Sequence, residues 1–161
     1  MEPLEKTGGL AIVPMGQRHI QRLAVLEKEC FSNPWSENAL AAELQHAHAV
    51  FLVAEVEGEA AGYVGMHHIL DQGDICSIAV FPQYRRQGVA RQLLLSLFQY
   101  GEQQGLRQIM LEVRQSNMGA QALYAGLGFV QVGRRKNFYT EPMEDALLMQ
   151  KAFAPFAAEL Q

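Results

Sequence analysis

The most constraining stretch of the chain lies near its middle. Residues 74–80, "DICSIAV", read as a strand, and residues 81–88, "FPQYRRQG", read as a turn. Residues 89–104, "VARQLLLSLFQYGEQQ", read as a helix of about four turns. Leu93, Leu94, Leu97 and Phe98 share one face of that helix, and Gly105 stops it. "RQIMLEVR" (107–114) returns as a strand. A strand, an amphipathic helix and a strand with short joints predict a parallel crossover, and hence an α/β layered fold.

The flanks do not repeat that unit. "LAIVPM" (10–15) is a short strand, and residues 17–31 place Ile20, Leu23, Leu26 and Phe31 near helical spacing. "NPW" breaks that helix, and Ser36 is placed to cap a second one, "ENALAAELQ". "AVFLVAEVE" and "AAGYVGMHHI" form a hairpin joined at "EGEA", and the loop "LDQG" leads into the central unit. "NMGAQALYAGLG" is a short glycine-stopped helix, followed by strands "FVQVGRRKNFY" and "DALLMQKAF". The expected order is β-α-α-β-β-β-α-β-α-β-β, with one or two parallel crossovers.

A chain of 161 residues without linker or repeat predicts one domain over 1–161, with 152–161 as a peripheral tail. A net charge of −4 argues against a general nucleic-acid binder, so a bound polyanion needs a local cluster of cations. Cys30 and Cys76 lie far apart and outside any CxxC pattern, which predicts reduced, packed thiols rather than a disulfide or zinc site. With neither a signal-like segment nor a membrane-length apolar run, the expectation is a cytoplasmic protein that engages no membrane.

The turn at 85–88 combines three features that favour an anion. A helix start carries unpaired N–H groups and partial positive charge, Gly88 allows close approach, and Arg85 and Arg86 add charge-assisted donors. A diphosphate suits it. The pattern is neither G-x-G-x-x-G nor G-x-x-x-x-G-K-[ST], which excludes the common dinucleotide and Walker-type loops. The plain alternative is two solvated arginines beside a turn glycine.

Glu112 interrupts an apolar strand and must face solvent, a partner or a site. An ion pair with Arg114, two residues on and on the same face, is the structural alternative to a chemical role. Tyr124, among apolar neighbours, reads as core, Asn117 as an N-cap, and Trp35 as an anchor for the loop between the first helices. His67 and His68 point to opposite strand faces, and His46 and His48 lie near a helix end without acidic partners at ligand spacing. No metal site is expected.

Arg85-x-x-Gly88-x-Ala90, between a strand and a long helix, resembles the acetyl-coenzyme A signature of the GNAT acetyltransferases. "NPWSENAL", "SIAVFPQYRRQGVA", "LEVRQSNMGAQALYAGLGF" and "RRKNFY…EDALLM", in that order, resemble the bacterial ribosomal-protein-alanine N-acetyltransferases within it. The departures are Ala90 and Phe81 for a common glycine and a common polar residue, unusual Gln115 and Gly119, and Phe138 where tyrosine is frequent.

The resemblance implies the GNAT (acyl-CoA N-acyltransferase) fold, a mixed, mostly antiparallel sheet flanked by helices. It implies acetyl-CoA as co-substrate, bound by Ile78, Ala79, Val80, Arg85, Arg86, Gln87, Gly88, Val89, Ala90 and Asn117. It makes Glu112 the general base and Tyr124 the general acid, with Tyr139, Asn137 and Trp35 as substrate contacts. The implied acceptor is the N-terminal alanine of a ribosomal protein, and a monomer is the expected state. A lysine or small-molecule amine acceptor, or a non-catalytic acetyl-CoA-binding module, are the other readings.

Overall fold

The computed structural model describes residues 5–7 and 9–153. The central reading is met directly. Strand β5 (Gln72–Val80) is followed by helix α3 (Val89–Gln103) and strand β6 (Gln108–Arg114). Gln72, Gly73 and Asp74 of β5 pair in parallel with Gln108, Ile109 and Met110 of β6. β5 begins two residues before the predicted strand, taking in part of the "LDQG" loop.

The chain divides into two compact units, the first built from residues up to His67 with Cys76–Tyr100, the second from His68–Ile75 with residues from Gly101 onward. In the first unit, β1 (Glu5–Thr7), β2 (Leu10–Pro14), β3 (Ala49–Val56) and β4 (Glu59–Ile69) are paired antiparallel in chain order. The last part of β5 lies beside β4, where the Phe81 amide donates to the Ala61 carbonyl at 2.9 Å. That approach is close. A Cβ on Gly62 would come within 2.6 Å of the Ala79 carbonyl oxygen.

Helices α1 (Ile20–Cys30) and α2 (Glu37–Glu43), with α3 as far as Tyr100, complete this unit. Ile20, Leu23, Ala24, Leu26 and Glu27 are the buried stripe of α1, which packs with Leu40, Val53, Tyr63 and Phe81 in one core cluster. The Ser36 hydroxyl caps α2 by accepting from the Ala39 amide at 3.1 Å. Truncating a fully buried leucine such as Leu23 to alanine would cost about 2–5 kcal/mol. Phe81 is buried, with the Arg22 guanidinium 4.4 Å from its ring centroid.

In the second unit β6 pairs in parallel with β5 and antiparallel with β8 (Met143–Ala152), which pairs antiparallel with β7 (Val130–Thr140). Helix α4 (Met118–Gly126) connects β6 to β7. β6 alternates strictly, with Ile109, Leu111 and Val113 buried and Gln108, Met110, Glu112 and Arg114 on the half-exposed face.

The predicted order thus holds, with one addition at the start. The strand Glu5–Thr7 was not expected; three residues are too few for a period-2 pattern. Ala152 closes β8 rather than opening the expected tail, and residues 154–161 of that tail lie outside the described residues. Cys30 and Cys76 are half-buried thiols that form no disulfide with each other. No helix among the described residues is long and apolar enough to cross a membrane.

Candidate active site

The turn after β5 has the geometry of an anion cradle. Arg86 and Gly88 both adopt left-handed backbone, at φ 61° and 81°. A Cβ on Gly88 would meet nothing within 4 Å, so the glycine serves the backbone angle and leaves open space beside it. The first bond of α3's ladder runs from the Gln92 amide to the Gly88 carbonyl at 3.0 Å. The amides of Val89, Ala90 and Arg91 therefore precede that ladder, as donors at the positive end of the helix.

Arg85 is not a simple solvated cation. Its Nε donates to the Val80 carbonyl at 3.0 Å and its Nη2 to Cys30 Sγ at 3.4 Å, fastening the turn to the end of β5. The Gln87 side chain donates to the Gln83 carbonyl at 3.0 Å. Arg86 is exposed. Within the first unit, then, Ile78, Ala79 and Val80 lead through Arg85 directly into Arg86, Gln87, Gly88, Val89 and Ala90. Amides at a helix start beside the exposed Arg86 guanidinium are the kind of donors that a diphosphate group takes.

Trp35 belongs to the same unit. It is half-buried, its amide donates to Glu27 Oε1 at 2.9 Å, and its ring meets Phe51 edge-on at 5.9 Å. The histidine cluster needs a correction. Glu43 stands three residues before His46, and its Oε2 lies 2.8 Å from His67 Nε2. The His46 and His67 rings stack at 4.5 Å and 19°, and the His48 amide donates to His46 Nδ1. One ligand atom each from Glu43, His46 and His67 lies within 4.8 Å of the others, so these histidines do have an acidic partner at ligand distance.

The second unit gathers the other candidates. Glu112 pairs with Arg135 Nε at 3.4 Å, and its side chain is 30% exposed. The Glu112–Arg114 pair, the structural alternative to a chemical role, does not form. Arg114 instead bonds Glu144 Oε1 at 3.2 Å and the Pro142 carbonyl at 3.0 Å, and its guanidinium lies 4.3 Å from the centroid of the Tyr139 ring. Register explains this exchange. Ala146 of β8 stands opposite both Arg114 and Arg135, and this small residue lets Arg135 reach across to β6.

Tyr139 is pushed above its ordinary value by burial first and then by the Glu112 charge. Tyr124, 6% exposed on α4, is pushed up to about 12 by burial, with a smaller contribution from Tyr139. Glu112, Tyr139 and Tyr124 are therefore electrostatic neighbours within one unit. The Asn117 side chain caps α4 by accepting from the Ala120 amide at 3.1 Å. Asn137 sits in a β7 irregularity at φ 53°, and its amide donates to Asp145 Oδ1 at 2.9 Å.

Comparison with known proteins gives this geometry a family. The model of the Acetyltransferase (GNAT) family matches residues 20–129, most of the chain. The chain belongs to the GNAT acetyltransferase family. It is similar to the [Ribosomal protein bS18]-alanine N-acetyltransferase of Escherichia coli (strain K12), 36% identical over 126 residues that cover 77% of this chain and 84% of that protein. The Haemophilus ducreyi (strain 35000HP / ATCC 700724) protein of the same name is 32% identical over 136 residues, covering 83% and 93%. The crystal structure of the ribosomal-protein-S18-alanine N-acetyltransferase from Escherichia coli superposes with a TM-score of 0.82 at 32% identity, over 92% of this chain and 97% of that one.

Arg135 and Glu144 carry no signal in the sequence; with Arg114 they set the surroundings of Glu112 and Tyr139 through cross-strand register, which sequence spacing does not reveal. Glu27 did carry a signal. It falls seven residues after Ile20 and four after Leu23, on the apolar stripe of α1, where an acid is out of place.

Proposed function

We propose that this GNAT enzyme transfers an acetyl group from acetyl-CoA to the N-terminal α-amine of an alanine-starting ribosomal protein in the cytoplasm, acting as a monomer. The single observation that carries the acceptor is the 36% identity to the E. coli alanine N-acetyltransferase over 126 residues. The left-handed turn at Arg86 and Gly88 ahead of α3 supports the co-substrate.

Backbone groups of Ile78, Ala79 and Val80 pair with the amides of the pantetheine arm as an added strand would, and one of their N–H groups polarises the carbonyl. Arg85, Arg86, Gln87, Gly88, Val89 and Ala90 hold the diphosphate, and Asn117 adds a contact. The thioester supplies the acetyl group. Glu112 takes the proton from the amine as its nitrogen bonds to the carbonyl carbon, directly or through water. The carbon–sulfur bond breaks, and Tyr124 donates a proton to the departing sulfur. Trp35, Asn137 and Tyr139 contact the peptide. An α-amine, with a reference pKa near 8 against 10.4 for lysine, is the easier amine for one carboxylate to deprotonate.

Two basic peptides test this reading. One begins with free alanine, and the other has a blocked N-terminus and an internal lysine. Intact mass should show a gain of about 42 daltons, one acetyl group on the more readily deprotonated α-amine, on the first peptide only. Acetylation of only the lysine peptide would overturn the acceptor assignment.

A further inference from the structure

Glu27 is the most deeply buried carboxylate described, at 1% exposure, and its partners come from one loop and two strands. Oε1 accepts from the Trp35 amide at 2.9 Å, and Oε2 accepts from the Tyr63 hydroxyl at 2.7 Å and the Ser77 hydroxyl at 2.9 Å. All three donors are neutral. Burial, with the Glu27 charge second, pushes the Tyr63 phenol far above its ordinary value, so Tyr63 remains a donor.

A buried carboxylate is costly unless donors surround it, and an apolar residue of similar volume is often as stable at such a site. What an apolar residue cannot do is gather donors from elsewhere in the chain. Glu27 fixes a backbone amide of the irregular segment 31–36 to β4 through Tyr63, and to β5 through Ser77, the residue before Ile78. The Trp35 ring is then set edge-on against Phe51.

We propose that Glu27 is a positioning residue for acetyl transfer, a hydrogen-bonding latch that holds Trp35 and its loop in register with β5 for the incoming peptide. This rests on the reading of Trp35 as an acceptor contact. Glutamine can keep the latch. Its carbonyl would accept from the Trp35 amide, and its NH2 would donate to the Tyr63 and Ser77 oxygens once those hydroxyls rotate. Methionine fills the volume and accepts almost nothing.

Trp35 is the only tryptophan in the chain, so its emission reports the latch directly. Glu27→Met should red-shift that emission and raise the KM for an alanine-starting peptide at least about tenfold, the size expected when a reactant is misplaced. Its kcat should fall less, and acetyl-CoA affinity should stay within about threefold, because the diphosphate turn is untouched. Glu27→Gln should match wild type in emission and stay within about threefold in KM, since its hydrogen bonds are retained.

Wild-type emission and an unchanged peptide KM in Glu27→Met would overturn the latch. So would a Glu27→Gln protein as impaired as Glu27→Met. If Glu27→Met does not fold, Ser77→Ala carries the same readouts, with a smaller shift of the same sign expected and no shift overturning the proposal. Trp35→Ala separates the two readings. An unchanged peptide KM there refutes Trp35 as an acceptor contact, while the emission of Glu27→Met still decides whether the latch exists.

Discussion

Replacing Glu112 by glutamine separates chemistry from stability in this enzyme. If Glu112 is the base, its loss removes a contribution of about 10²–10⁴ in turnover, or roughly 3–5 kcal/mol of barrier. The stability at stake is far smaller. Its ion pair with Arg135 spans 3.4 Å between side chains that are 30% and 56% exposed, and pairs of that kind contribute about 0.2–1 kcal/mol. For a chain of this size that moves Tm by no more than about 4 °C.

Arg135→Ala breaks the same pair from the other side and leaves the carboxylate in place. Initial rates of thiol release from acetyl-CoA with an alanine-starting peptide, beside thermal melts of each variant, provide the comparison. Glu112→Gln should lose at least about a hundredfold in kcat, as a general base would. Arg135→Ala should stay within about threefold, with a similar small change in Tm. Equal losses of kcat would show that the ion pair, and not proton acceptance, sustains activity. Wild-type turnover in Glu112→Gln would end the base assignment altogether.

Three further outcomes test other parts of the molecule. Burial pushes Tyr124 up to about 12, so it keeps its proton across the usual assay range, and Tyr124→Phe should lower kcat about a hundredfold without removing any alkaline limb below pH ~11; a wild-type limb near pH 10 that disappears in the variant would contradict this. Gly62→Ala would place a Cβ 2.6 Å from the Ala79 carbonyl oxygen, and overpacking of that kind should cost about 1–3 kcal/mol in denaturant melts; an unchanged midpoint would mean that β4 and β5 separate freely. The Asn137 amide, with Arg134 after it, holds the Asp145 carboxyl below its ordinary value of 3.8. Its stabilisation is therefore full above that value and lost as pH falls through the lower folded value, so the stability gap between wild type and Asp145→Asn should close on acidification below pH ~4; a constant gap would refute the linkage.

Local chemistry is what the sequence made legible. Ser36 and Asn117 cap their helices because the acceptor and its amide partner are three residues apart. Gly88 and the arginines before it were readable for the same reason: a left-handed turn ahead of a helix is a property of a few consecutive residues. The partners of Glu112 and Arg114 were not. Two residues on one strand face look like an ion pair until register brings Arg135 and Glu144 to them instead. The histidines failed on a similar count, since Glu43 on α2 meets His67 on β4 only after folding.

The carboxylates of this enzyme can be ranked by how completely they are satisfied, and the ranking bears on the reaction. Glu27 accepts three neutral donors in a buried setting, which commits its lone pairs to structure. Glu55 is held by His19 Nε2 at 2.6 Å and by Arg18 at 2.5 Å. Glu144 bonds Arg114 and the Ser116 amide. Glu112 is held most loosely of these, by one half-exposed guanidinium at 3.4 Å, on a strand face beside Tyr139. A base must have a lone pair that is not already engaged and a path to the proton it takes. Its loose pairing with a half-exposed arginine leaves that lone pair available, whereas tighter partners would turn the same carboxylate into a strut like Glu27. Tightening the pair should therefore slow the enzyme while making it more stable.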